Sequence, residues 1–400
     1  MKKSAFLACV LAFSFLVSWA GTYSGGTGTS GDPYQIANLN DLGELSGASG
    51  DWNKYFIQTA DINASATSSW NSGAGFSPIG NSSPPFSGTY NGQGHTITGL
   101  YINRSDVEKI GMFGSAKGAG AQIQKLGLVS VTISGKSNVG GLVGHSDGDG
   151  ITISQCYVTG SVTGVYNYIG GLSGTCYYNC NIIDSYSRAS VNATNPAAHT
   201  VGGLVGSFSN STMNNCYSTG SVSAPSGVGG LVAAVSNATV SNSFWDTQTS
   251  GQGSSAGGTG KTTSEMKTLS TFTSAGWDFE AETANGTNNY WDLSGSINDG
   301  YPYLSWQDGE DVSLPVELTA FSAECQGGTV ILKWTTESET ENLGFIIEKR
   351  LQVTGDRLQV ADYLTDKALE GHGSTSAKHE YQFTDKAVQP GVTYFYHLAD

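Results

Sequence analysis

Along the middle of the chain the apolar residues fall into two short words that alternate and return. The first opens IGMFG at Ile110, VGGLVG at Val139, IGGLSG at Ile169, VGGLVG at Val201 and VGGLVA at Val228, at steps of 29, 30, 32 and 27 residues. The second reads QCYVTGSV at 155–162, DSYSRASV at 184–191, NCYSTGSV at 215–222 and NSFWDTQT at 242–249. Each carries a small residue followed by an aromatic one: Cys156-Tyr157, Ser185-Tyr186, Cys216-Tyr217, Ser243-Phe244. Self-similarity at a fixed period predicts a solenoid. Paired glycines and runs of Thr, Val and Ser argue against helical repeats. Three strands of about five residues and three turns fill the period instead. The pattern therefore predicts an all-β fold, a right-handed parallel β-helix whose coils stack about 4.8 Å apart. Val139, Ile169, Val201 and Val228 should then lie along one axis. Simple alternation does not turn both Val139 and Leu142 inward, so a bend or bulge is expected at Gly140-Gly141. The glycine pairs should form a ladder where the chain bends sharply or backbones crowd. Inserts such as HSDGDG and NATNPAAHT read as loops at a corner.

The flanks read differently. Residues 38–48 predict a short helix capped by Asn38 or Asn40, with Leu39, Leu42 and Leu45 on one face, placed to lid the N-terminal end of the solenoid. After residue 250 glycine and serine thicken. TTSEMKTLSTF then predicts a helix led by Thr263 or Ser264, and Trp277, Trp291 and Trp306 read as packing for a lid over the other end. From Leu314 glycine thins and charge rises. Five segments with period-2 alternation (LPVELTAFSAE, GGTVILKWTTE, NLGFIIEKRL, HEYQFTDKA and VTYFYHLAD) predict an antiparallel β-sandwich. The resulting division is 1–20 signal peptide, 21–109 N-terminal cap and first coils, 110–250 repeat coils, 251–312 closing cap, and 313–400 sandwich.

Composition narrows the function. The chain of 400 residues has 55 glycines and a net charge of −15. An acidic chain repels phosphate backbones, so nucleic acid is not an expected partner. The opening MKKSAFLACVLAFSFLVSWA has a basic start and an apolar run too short for a comfortable span. It reads as a secretory signal, which makes the protein secreted or surface-attached, not integral to a membrane. Five cysteines follow it: Cys156, Cys176, Cys180, Cys216 and Cys325. The Cys176–Cys180 spacing suits either a local disulfide or plain buried thiols.

The words VGGLVG and CY(V/S)TGSV resemble the GLUG motif of bacterial secreted and surface proteins. The coils 139–168, 169–200 and 201–227 match it well and the flanking two in part. Upstream, GTSGDPYQIANLNDLGELS at 28–46, KYFIQTADIN at 54–63 and FSGTYNGQGHTITGLYI at 86–102 resemble what precedes such repeats. The resemblance implies a repeat type and no particular activity, since such repeats occur in adhesin-like proteins and beside peptidases. The C-terminal segment resembles a fibronectin type III-like sandwich, with Trp334 as its core tryptophan and Tyr394, after Gln-Pro-Gly, at a tyrosine corner. Its opening LPVELTAFSA resembles the domain that precedes sorting signals in cargo of type IX secretion. Such a sandwich has seven strands. Asp400 falls after what corresponds to the sixth, so an incomplete sandwich is expected, without a last strand or a sorting domain.

Chemistry is sparse in the repeats. From Val139 to Gly260 the formally charged residues are Asp147, Asp149, Asp184, Arg188 and Asp246. Polysaccharide lyases and hydrolases on β-helices need clustered carboxylates or a base on one outer sheet, and here the acids stand singly. Asp147 and Asp149 in HSDGDG are the candidate calcium ligands, with a solvated turn as the competing reading. No other cofactor is implied. His145 and His199 read as surface histidines. The candidate ligand-binding residues are Tyr166, Tyr168, Tyr177 and Tyr178 on the outer face. Together these features predict a non-catalytic, secreted or cell-surface structural and adhesin-like protein, with glycans or another surface as partners. The alternative is a secreted carbohydrate-active enzyme using the Arg104, Asp106, Glu108 and Lys109 cluster.

Overall fold

The computed structural model describes residues 21–308 and 316–399, apart from 147, 149, 281–283, 287, 296, 352–356, 363–365, 376 and 390–391. The expected signal peptide, 1–20, lies outside the described residues. Strands account for 47% of the chain and build a parallel β-solenoid of about six turns, followed by antiparallel sheets. The chain divides into one unit ending at Gln307 and a second beginning at Asp308.

Stacking in register is the organising feature of the first unit. Val139 pairs with Ile110 on one side and Ile169 on the other, and the column continues through Val201 to Val228. A second apolar column passes through Tyr34, Phe56, Tyr90, Ile123, Ile153, Ile182, Met213 and Val240. Its members from Phe56 to Met213 are buried. The segment 21–109 therefore supplies genuine coils as well as a cap, because its aromatic residues continue the aliphatic column of the repeats.

Each coil turns three corners, and a left-handed residue recurs at each of them. At the first stand Lys109, Asn138, Tyr168, Thr200 and Gly227, with φ between 55° and 65°. At the second stand Gly150, Asn179, Asn210 and Asn237, and at the third Lys125, Gln155, Asp184, Asn215 and Asn242. Asparagine suits these sites because its short polar side chain tolerates the left-handed region. The glycine pairs do other work. Val139 and Leu142 are both buried, with the expected bend between them, but Gly140 and Gly141 are not left-handed. A Cβ on Gly141 would lie 2.5 Å from the Gly171 carbonyl and from a methyl of Val158. The pair is glycine because neighbouring backbone and the opposite wall crowd it.

Cys156, Ser185, Cys216 and Ser243 occupy one position in successive coils. Each side chain donates to the carbonyl two residues earlier, at 3.2, 2.8, 3.1 and 2.6 Å. The serines also accept from the next-lower coil: Cys156 N–H donates to Ser185 Oγ and Cys216 N–H to Ser243 Oγ, both at 3.1 Å. Cys176 and Cys180 stand as separate buried thiols, like Cys156 and Cys216, while Cys325 is exposed. Burial pushes the Cys156 thiol up to about 12 and raises Cys180 and Cys216 as well, so little nucleophilic thiolate forms. Among these five, a thiol reagent should label Cys325 alone in the native protein and all five after denaturation. Native labelling at a second site, counted by mass spectrometry, would contradict this placement.

The ends are closed by local chemistry. Helix α1 (Leu39–Gly47) is capped by Asn38, which accepts from Asn40 and Asp41 N–H, and it buries Leu42 and Leu45. At the far end the strand Thr259–Lys261 pairs with Phe244–Asp246 as a last rung. Ser255 Oγ accepts from Leu231 and Val232 N–H and donates to Val232 O, satisfying backbone groups of the last coil.

The second unit has two antiparallel sheets. One is built from Val316–Gln326, Thr329–Gly344, Glu370–Thr375 and His379–Asp385, the other from Ile346–Leu351, Arg357–Asp362 and Tyr394–Ala399. Arg357–Asp362 and Glu370–Thr375 were not among the expected strands, because RLQVAD and EGHGST carry too little apolar alternation to announce themselves; with them the described residues hold seven strands, where six were expected. Trp334 is buried, stacked on Tyr381 at 5.4 Å and edge-on to Phe345 at 5.2 Å. Lys349 Nζ donates to Asp385 at 2.9 Å within the interior. The Tyr394 hydroxyl accepts from Gln389 N–H at 3.0 Å, closing the turn before its strand.

Candidate functional site

The aromatic residues of the second word face outward and form a ladder. Tyr157 and Tyr186 stack at 5.0 Å, Tyr186 and Tyr217 at 4.7 Å, each pair 6° from parallel, and Phe244 follows in register. Such a strip, left bare, would be a large apolar patch. Of the span 251–312, read from the sequence as a lid over the solenoid end, Ser255 and the rung Thr259–Lys261 lie at that end, but the three tryptophans do not. The described residues between Thr262 and Gln307 double back as a strap along the face that carries the ladder. Trp277 meets Phe244 at 6.0 Å and Tyr217 at 6.3 Å. Trp291 meets Tyr217 at 5.9 Å and Tyr186 at 6.1 Å, and Trp306 meets Tyr157 at 5.6 Å. The tryptophans are packing, as expected, but against the ladder. The expected single helix is also broken into Glu265–Lys267, a 3₁₀ turn, and α2 (Leu269–Thr273). Its cap is Thr262, whose N–H and hydroxyl donate to Glu265 Oε2 while Glu265 N–H donates to Thr262 Oγ1.

Three charged residues of the repeats serve this strap. Arg188 donates to Asn298 Oδ1 at 2.6 Å, pairs with Asp299, and lies over the Tyr301 ring. Asp246 accepts from Gln248 and Thr249 N–H and from the Tyr301 hydroxyl at 2.8 Å. Burial works to raise its carboxyl, but hydrogen bonds from Thr263, Thr249, Tyr301 and Gln248 hold it below the ordinary value. Asp184 Oδ1 accepts from the Trp291 indole and from Asn215, both at 3.1 Å. There burial, helped by nearby Asp278, outweighs those two bonds and lifts the carboxyl above the ordinary value. A group raised in the folded state contributes stability that is present below its unfolded pKa and lost as pH rises through the folded one. Asp184→Asn is therefore expected to melt no lower than the parent at neutral pH, and the difference to vanish below about pH 4. A lower melting temperature for the variant at neutral pH would refute this.

The four candidate tyrosines do not converge. Tyr166 and Tyr178 are exposed, Tyr168 and Tyr177 half-buried. Tyr168 sits at the first corner with its ring edge-on to His199 at 6.5 Å. Tyr177 lies across from His145 at 6.5 Å, and its hydroxyl is 3.1 Å from Ser207 Oγ. No ring contact joins the pairs. The candidate calcium ligands Asp147 and Asp149 lie outside the described residues; among the described residues no group of three metal-type ligands occurs. The cluster at 104–109 is dispersed: Arg104 donates to Ser77 Oγ, Lys109 to Ser82 Oγ, and Glu108 pairs with Lys136.

One feature of the surface escaped the sequence reading. Two adjoining depressions of about 390 and 240 Å³ share Asn179 and Asn181 and form a shallow trough over the second face, the one built from Ile151–Ser154, Asn181–Ile183, Thr212–Asn214 and Thr239–Ser241. Its floor is the outward column Thr152, Asn181, Thr212, Thr239, in register from coil to coil. Its side is the corner ladder Asn179, Asn210, Asn237. The signal was present as an asparagine or glycine ahead of each ITIS-like segment, but the two diagnostic words drew attention elsewhere.

The GLUG motif family matches residues 135–163. A halomucin of Haloquadratum walsbyi is 40% identical over 174 residues, 42% of this chain and 2% of that protein. A Gly-rich membrane protein of Evansella cellulosilytica is 29% identical over 161 residues, 37% of this chain and 18% of that protein. The chain thus carries the GLUG repeat and spans a small part of each relative. No solved structure matches it. Among the described residues no helix is long and apolar enough to cross a membrane.

Proposed function

We propose that this chain is a secreted or cell-surface structural protein, a stiff solenoid that adheres through its outer faces and catalyses no reaction. The observation that carries the reading is the fate of the charged groups. Of the described charged residues between Val139 and Gly260, Asp184 and Asp246 are buried and Arg188 is tied to the strap. Each is engaged in holding structure, and the outer lattice is left with hydroxyls and carboxamides. The relatives, one named a halomucin and one a membrane protein, fit a surface location. The C-terminal unit serves as a fibronectin type III-like module of a bacterial protein exported by the type IX route, with its buried tryptophan and bonded Tyr394 hydroxyl as support. Calcium at the Asp147–Asp149 loop is compatible with this role but not required by it. Protease shaving of intact source cells should release fragments of the chain, and the purified protein should release no reducing sugar from polysaccharides. Recovery only from the cytosol, or measurable turnover, overturns the proposal.

A further inference from the structure

We propose that the trough over the second face binds an extended, uncharged polysaccharide lying along the solenoid axis. This rests on the adhesive reading above and assigns it a site and a ligand class. Among the described residues the lining contains no formally charged side chain. It offers carboxamides and hydroxyls, which donate and accept toward sugar hydroxyls in equal measure. Several of these groups have no other employment: among the described residues, the side chains of Asn179, Asn237, Thr152 and Thr239 make no hydrogen bond within the protein. Their spacing follows the coils, one step of about 4.8 Å at a time. A ligand that uses more than one coil must therefore be a polymer with hydroxyls at a comparable repeat.

The aromatic element is at hand. Tyr178 directly precedes Asn179, and both are left-handed, with φ of 56° and 60°. Tyr178 is 53% exposed next to the trough residue Asn179, available to stack on the apolar face of a sugar ring. Charge decides against the other polymers. The chain's net charge of −15 disfavours anionic polysaccharides, and among the described residues the trough has no carboxylate with which to hold a cationic one. The openness of the trough suits a chain that passes through it and not an enclosed small molecule.

The test is affinity electrophoresis of the chain from residue 21 to 400 in gels containing neutral linear polysaccharides (a β-glucan, a mannan, a xylan) or anionic ones (alginate, polygalacturonate). Retardation is expected with at least one neutral polymer, unchanged between about 50 and 500 mM salt because no ion pairs are involved. Thr152→Ala/Thr239→Ala and, separately, Tyr178→Ala should each weaken it about tenfold, the loss of a few hydrogen bonds or one stacking contact. Their melting temperatures should match the parent's, since these side chains are exposed or half-buried and carry no core packing. The proposal falls if no neutral polymer retards the protein, if only anionic polymers do and salt abolishes it, or if binding survives in folded variants. None of these results bears on surface release by shaving, so failure of the site and failure of the surface role are distinguishable.

Discussion

Replacing Gly203 with alanine is expected to unfold the central coils, while the same change at Gly253 leaves stability within about 0.5 kcal/mol of the parent. A Cβ on Gly203 would lie 2.2 Å from the Gly230 carbonyl oxygen and 2.9 Å from Ser218 Oγ. The first of these atoms is backbone and part of the next coil, so it has no rotamer through which to retreat. Overpacking of well-packed cores commonly costs about 1–3 kcal/mol. Here the clash opens the inter-coil spacing itself, and a loss above about 3 kcal/mol follows. At Gly253 nothing lies within 4 Å of the added methyl, and the backbone is not left-handed. Chemical denaturation of both variants separates crowding from any general dislike of alanine in this glycine-rich chain. Equal stability of the two would show that coils are not in the close register described.

Trp291→Ala should release the strap. The side chain is fully buried, 4.5 Å from Trp277 and against two rungs of the ladder, and its indole N–H donates to Asp184. Truncating a buried tryptophan typically costs about 3–5 kcal/mol, and the change also strips a donor from a carboxylate already disfavoured by burial. The expected readout is local: cleavage by trypsin at Lys267, the one Lys or Arg in 262–307, well before the coils are cut. Arg188→Ala should act in the same direction but more weakly, because its contacts to Asn298 and Asp299 lie at the margin of the strap. If Trp291→Ala is as protease-resistant as the parent, the ladder does not depend on the strap for cover.

How much of this was legible in the chain depends on which residues repeat. Val139, Ile169, Val201 and Val228 recur in recognisable words, so their column and the fold class were readable in advance. The helix at Leu39–Gly47 was readable too, since Asn38 is a strong cap and the leucines share a face. The left-handed corners were missed because the residue type at a corner changes from coil to coil: the first falls just ahead of the glycine word on Lys109, Tyr168 or Thr200, and the third opens the second word on Gln155, Asp184 or Asn215. The strap was misplaced because nothing local distinguishes a tryptophan that closes an end from one that covers a side. The unspent signal was the outward Tyr157, Tyr186, Tyr217 and Phe244, an apolar ladder that needs a partner of its own length. The trough was invisible for the opposite reason: Thr152, Asn181, Thr212 and Thr239 are ordinary surface residues until register aligns them.

Register is also what a cross-linking measurement addresses most directly. In a Cys325→Ser background the remaining repeat thiols are buried, so introduced surface cysteines report alone. Thr152 and Asn181 are direct partners on adjacent coils, and Cα atoms at about 4.8 Å fall within disulfide range. Thr152 and Thr212 lie in the same column two coils apart, about 10 Å, beyond that range. Thr152→Cys/Asn181→Cys should oxidise to an intramolecular disulfide, and Thr152→Cys/Thr212→Cys should stay reduced under the same conditions. If the first pair fails to form while the second links, successive coils are not stacked in the order and register on which the ladder, the strap and the trough all depend.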